Sequence, residues 1–130
     1  RKGACKDPRY AYLYARDGDE GSHEDTRKSA CKNPEYAYEY AINMDMGPHK
    51  DTRRGACGDP KYAYFYARNV DEGSHEETRK AACENPEYAY LYALNVDKDF
   101  HENTYNAVLN TEYEEEYKEF INNRMKEKVI

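Results

Sequence analysis

The chain has 130 residues with a net charge of −6, 35% charged residues and a mean hydropathy of −1.26. No apolar run is long enough for a membrane span, and no basic tract offers a track for nucleic acid. Leu, Ile, Val and Phe make up only about a tenth of the chain, a composition that on its own reads as disorder.

Internal repetition overrides that impression. Cys5, Cys31, Cys57 and Cys83 lie 26 residues apart, as do Pro8, Pro34, Pro60 and Pro86, and His23, His49, His75 and His101. Tandem self-similarity at this period marks an array of stacked supersecondary units. Four copies run 1–26, 27–52, 53–78 and 79–104, and a divergent fifth occupies 105–130. Of fifteen tyrosines, twelve stand in a YxYxY triplet, three per copy. Tyrosine joins an apolar ring to a polar tip, so tyrosine and alanine can form a packed interior that still scores as hydrophilic. A single copy is too small to fold alone, and its neighbours must supply the remaining burial.

In chain order, each unit is expected to form two short helices. The chain opens on Arg1, without methionine and partway through a unit, which suggests a piece of a longer array. The first helix is expected over His23–Cys31 and its repeats, started by Ser22 and Ser74 with acids three residues later, or by Pro48 in the first turn. His23, Thr26, Arg27 and Ala30 share a stripe of that helix, with Cys31 at its edge. Asp7-Pro8, Asn33-Pro34, Asp59-Pro60 and Asn85-Pro86 then set a capping residue before a proline, which breaks one helix and starts the next. The second helix is expected over about Pro34–Met44, with Gly21, Gly47 and Gly73 as terminators. Ala37, Tyr40, Ala41 and Met44 fall on its core face, flanked by Tyr36 and Tyr38.

The final segment keeps Tyr113, Tyr117 and Ile121 but puts Glu114, Glu115 and Lys118 where Ala, Tyr and Ala recur. A terminal repeat has one neighbour, so its free side turns polar. This predicts a C-terminal cap. It also predicts direction: first and third tyrosines face the preceding repeat, and the second-tyrosine side faces the next. No such polar cap is found near Arg1. The expected fold is an all-α, right-handed αα-solenoid of four two-helix repeats plus that cap.

The pattern HxxTRxxACxxPxYAYxYA resembles the short αα-repeats of HEAT-like and leucine-rich-repeat-variant solenoids, and is similar to tyrosine-rich repeats of uncharacterised phage and bacterial proteins. The resemblance implies a curved interaction scaffold and transfers no catalytic residue.

Candidate chemistry is sparse. His23 and Cys31 are eight residues apart on one helix, about 12 Å along its axis, too far to share a zinc ion. No metal site and no cofactor is expected. Every reactive group recurs in equivalent surroundings, whereas catalysis needs one asymmetric constellation, so no catalytic residue is assigned and an enzyme is not expected. Equivalent cysteines should sit a helix diameter apart, too far for disulfides, which points to reduced thiols in a reducing, cytoplasmic compartment. His23, Arg27, Asp45, His49, Arg53, Asp71, His75, Arg79 and Asp97 are read as a structural polar ladder, His and Arg bonding carboxylates and tyrosine hydroxyls.

Outward positions of the second helix carry the variable residues. Leu13, Arg16, Glu39, Ile42, Phe65, Arg68, Leu91 and Leu94 form the candidate partner-binding face, with apolar side chains where a solvated face needs none. The expected function is a protein-interaction scaffold. The alternatives are a filament assembled end to end by self-association, or an acidic inhibitor that imitates nucleic acid. Nucleic-acid binding itself is not expected, because the tyrosines sit at core spacing and the charge is negative.

Overall fold

The computed structural model describes residues 7–17 and 24–129. Among these residues the chain is all helical: α1 (Pro8–Asp17), α2 (Glu24–Ala30), α3 (Pro34–Tyr40), α4 (Lys50–Ala56), α5 (Pro60–Tyr66), α6 (Glu76–Ala82), α7 (Pro86–Tyr92), α8 (Glu102–Val108) and α9 (Glu114–Val129). None of them is long and apolar enough to cross a membrane.

The prolines set the corners. Asn33 and Asn85 accept bonds from the backbone N–H two residues on, at 2.9 Å, and Asp7 and Asp59 do the same from their own positions. Each capping residue is extended where the geometry is resolved, and proline follows as the first helical residue.

The first helices begin differently from expectation. The caps of α4, α6 and α8 are His49, His75 and His101, so Ser74 lies before its cap while Ser22 falls outside the described residues, and each imidazole Nδ1 accepts the N–H two residues on, at 3.1–3.3 Å. Pro48 lies before the cap and outside the helix. His23 lies outside the described residues.

The second helices also end differently. α3, α5 and α7 each widen into one π-helical turn, Ala41–Asp45, Ala67–Asp71 and Ala93–Asp97. The residue that turns left-handed is then Met46, Glu72 or Lys98, at φ 54–57°, and not the glycine. Gly47 and Gly73 follow it and close the turn by donating to Ala41 and Ala67 carbonyls.

Helix packing places the hairpin one step away from the proline corner. The most extensive contacts run from a second helix to the following first helix: α1 on α2, α3 on α4, α5 on α6, α7 on α8. The pairs joined at the proline, α2–α3, α4–α5 and α6–α7, touch less. Second helices also contact one another in sequence (α1, α3, α5, α7), so they form one row and the first helices α2, α4, α6 and α8 lie along the other side. Between α2 and α4 the approach is very close. A Cβ on Gly55 would stand 2.6 Å from the Cys31 carbonyl oxygen and 2.8 Å from Ala37 Cβ. Glycine is required there by space, not by its φ.

The interior is tyrosine and alanine. Tyr40, Tyr66 and Tyr92, the third tyrosines, are fully buried, and each clusters with alanines of the preceding helices: Ala15 and Ala30, Ala41 and Ala56, and Ala67 and Ala82. Ala30, Ala56, Ala82 and Val108 complete the column from the first helices.

Candidate interaction surface and the polar ladder

Polar side chains tie each first helix to the far end of the second helix that follows it. Arg27 donates through Nε and Nη2 to both Asp45 oxygens at 2.9 and 2.7 Å, and Arg53–Asp71 and Arg79–Asp97 repeat this geometry at 2.6–3.0 Å. A bidentate fork of this kind fixes angle as well as distance. The guanidinium also lies 5.7–5.9 Å from the ring of the third tyrosine, over its face. All three arginines are raised above their ordinary pKa, first by the hydrogen bond to the aspartate.

In the described repeats histidine meets the tyrosine hydroxyls through its backbone, while its Nδ1 accepts the helix-cap N–H. Threonine takes the place expected of it. The hydroxyls of Thr26 and Tyr40, Thr52 and Tyr66, Thr78 and Tyr92, and Thr104 and Tyr117 share bonds of 2.7–2.8 Å in buried surroundings. Tyr66 further accepts the His49 N–H at 2.9 Å and donates to the His49 carbonyl at 3.0 Å, and Tyr92 and Tyr117 do the same with His75 and His101. The spacing placed threonine on the right stripe, but a buried hydroxyl leaves no pattern by which to name its partner.

A second ladder links successive repeats. The second tyrosine of one repeat meets the first of the next: Tyr12 with Tyr36, Tyr38 with Tyr62, Tyr64 with Tyr88, and Tyr90 with Tyr113, all with ring centroids 6.0–6.1 Å apart. Asn43, Asn69 and Asn95 reach back from the π-turn and donate to the hydroxyls of Tyr12, Tyr38 and Tyr64 at 2.8–2.9 Å. The π-turn thus carries two contacts two residues apart: Asn43 to the preceding repeat, Asp45 to its own. These asparagines escaped sequence reasoning, although their 26-residue recurrence was a visible signal.

The outward row differs from expectation in exposure. Leu13, Phe65 and Leu91 are half-buried and pack on the core, Phe65 with ring centroids 5.6–6.1 Å from Tyr38, Tyr62 and Tyr64. Leu94 is half-buried, and Ile42 is at the edge of exposure at 36%. Charge is the more accessible property. Arg9 and Arg16 are exposed on α1, Glu35 on α3, Lys61 on α5, Arg68 in the turn after it and Glu87 on α7, while Glu39 is half-buried. The sign therefore alternates from one repeat to the next. Among the described residues Glu35, Lys61 and Glu87 enter no ion pair; Lys61 instead sits over the Tyr62 and Phe65 rings at 5.4 and 5.9 Å.

At the end of this row lies a groove of about 310 Å³, lined by Tyr90, Leu94, Glu116, Glu119, Phe120 and Asn123. Burial raises the Tyr90 phenol, and Glu116 and Glu119 raise it further. The groove has a negative rim around an apolar floor.

Cys31, Cys57 and Cys83 are unpaired and half-buried at the first-helix side. Burial pushes Cys31 and Cys57 up to about 12 and Cys83 up to about 11, so the thiols stay protonated and weakly nucleophilic at neutral pH.

The last repeat keeps the Thr104–Tyr117 bond and drops the Arg–Asp fork. Tyr105 replaces the arginine and packs with Phe100 and Tyr117, its ring centroid 5.6 and 5.4 Å from theirs. α9 then runs without interruption from Glu114 to Val129, with exposed Glu115, Lys118 and Glu119 on it. Compared with protein-family models, curated proteins and solved structures, the chain matches none, so the helix-pair repeat rests on the structure itself.

Proposed function

We propose that the chain is a non-enzymatic protein-interaction scaffold that binds a partner protein along the row of second helices. The observation that carries this reading is the alternation of charge along that row. Four repeats share one interior, yet their outward residues run from Arg9 and Arg16 through Glu35 and Glu39 to Lys61 and Arg68 and then Glu87. Solubility alone asks for charge and not for order; an ordered pattern gives register to a partner. The half-buried Leu13, Phe65, Leu91 and Leu94 supply apolar ground beneath the charges, and the groove at Tyr90 and Phe120 supplies an anchor point. Half-buried, unpaired thiols suit a reducing compartment.

The test is affinity capture from lysate of the source cells. The parent is compared with a Lys61→Glu/Arg68→Glu variant, whose helicity is checked by circular dichroism. A specific protein retained by the parent and lost by the folded variant supports the reading. Retention of that protein by both removes this face from consideration. Asp at Phe65 or Leu91 would serve poorly, since both pack on the core.

A further inference from the structure

Four second tyrosines stand along the row of second helices, and the chain supplies N–H donors to three of them. Asn43, Asn69 and Asn95 reach the hydroxyls of Tyr12, Tyr38 and Tyr64 from the following repeat. Two of the three also receive a guanidinium from the residue four positions on. Arg16 lies 5.8 Å from the Tyr12 ring centroid, and Arg68 Nη1 donates to the Tyr64 hydroxyl at 3.4 Å. Tyr90 has neither contact. Counting from Tyr117 as the third tyrosine, Phe120 stands where the asparagine recurs, and Leu94 stands at the position of Arg16 and Arg68. Around Tyr90 there is instead the groove of about 310 Å³, walled by the π-turn after α7 and by α9.

The charge at this groove is reversed. Glu119 holds on α9 the position that Arg68 holds after α5, and Glu116 holds that of Phe65. Both glutamates are exposed, and among the described residues neither enters an ion pair. Burial, and then these two carboxylates, raise the Tyr90 phenol, so their charge is felt at the ring. No cation lines the groove. We infer that the groove takes an arginine side chain of the partner protein, its guanidinium on the Tyr90 and Phe120 rings and bonded to Glu116, Glu119 and the Tyr90 oxygen. The stem lies along Leu94. This rests on the partner-protein reading above and names the group that the partner brings. Charge complementarity selects a cation, and the planar fork of donors selects guanidinium over ammonium, since it can stack on a ring and bond several oxygens at once. It is also the group that the chain itself sets on Tyr12 and Tyr64.

The probe is the peptide acetyl-Ala-Arg-Ala-amide, titrated into the whole isotope-labelled chain and followed by backbone amide NMR shifts. The same peptide with citrulline or lysine in place of arginine is run beside it. Two variants are compared with the parent, their helicity checked by circular dichroism. Glu116→Gln/Glu119→Gln removes the rim charge at exposed positions. Leu94→Arg supplies from within the chain the guanidinium that Arg16 and Arg68 supply to Tyr12 and Tyr64. The expected result is saturable shifts at Tyr90, Leu94, Phe120 and Asn123 with the arginine peptide. Affinity should be lower for the lysine peptide, and about tenfold or more lower for the citrulline peptide and for either variant. Equal affinity of the citrulline or the lysine peptide overturns the inference, as does binding that either folded variant keeps in full. Shifts scattered over the acidic surface overturn it too, by making net charge the attraction. No lysate protein enters this titration, so failure of the capture experiment and failure of the arginine groove are read separately.

Discussion

Tyr66 holds more of the fold than its ring. Its hydroxyl meets Thr52 and both backbone groups of His49, so Tyr66→Phe leaves buried polar groups unpaired and should cost about 1–3 kcal/mol in urea unfolding. Tyr38→Phe removes one bond, from Asn69 at the surface, and should cost about 1 kcal/mol or less. Cys31 and Cys57 give a second residue-scale prediction. With their thiols near 12 instead of the ordinary 9.0, native alkylation at pH 8 should run about a thousandfold slower than in urea, as followed by mass spectrometry. At this scale the sequence was partly readable. The arginine and aspartate of the ladder recur with opposite charge and could be paired on paper. The threonine hydroxyls could not, because a buried hydroxyl carries no charge that names its partner, and Asn43, Asn69 and Asn95 could not, because they reach the preceding repeat from a π-turn that no periodicity announces. Histidine was misplaced for a related reason: at the edge of a helix, its ring satisfies the nearest N–H before any distant carboxylate.

Element boundaries follow from that π-turn. One wide turn lets Asn43 and Asp45 point to different repeats, and its closure forces a non-glycine residue into the left-handed region. Met46 is 83% exposed at φ 54°, so Met46→Gly relieves strain without losing packing. The gain should be about 0.5–1 kcal/mol, visible as a higher Tm, because the left-handed penalty exceeds the entropy of glycine. The glycine one position later was the plausible terminator from sequence, since glycine commonly occupies that conformation. The structure assigns it the bond to Ala41 instead. Proline corners, by contrast, were legible in full: a capping Asn or Asp ahead of proline has few local alternatives. What they did not reveal is which neighbouring helix packs closest, a matter of contact area beyond any local signal.

For the whole molecule, alkaline pH is the sharpest probe. Burial raises the phenols of Tyr66, Tyr92 and Tyr117, against the lowering pull of their threonine and histidine bonds. Their folded pKa exceeds the unfolded value of about 10, so the folded state holds the proton more tightly. That stability is complete below pH about 10 and is lost as pH climbs through the raised folded values. Tyrosinate absorbance should therefore rise in two stages, exposed rings such as Tyr10 first, and the buried ones together with loss of helical circular dichroism. Simultaneous ionisation of all tyrosines with helicity intact would contradict the buried column. The repeat count and the tyrosine–alanine interior were both visible in the sequence, because they are periodic. Exposure along the outer row was not, since Phe65 leans back onto Tyr38 of the repeat before as well as onto Tyr62 and Tyr64 of its own, and Leu91 packs on the cluster that holds Tyr64.

The row of second helices also works as a ruler. Packed helices stand about 8–10 Å apart, and a polyproline II peptide advances about 3.1 Å per residue with three residues per turn. Such a peptide laid across the row would move from Arg9 to Glu35, Lys61 and Glu87 in steps of about three of its own residues, all on one face. Its matching code would be an acid, a base, an acid and a base at every third position, and a slip of one helix would set like charge against like at every step.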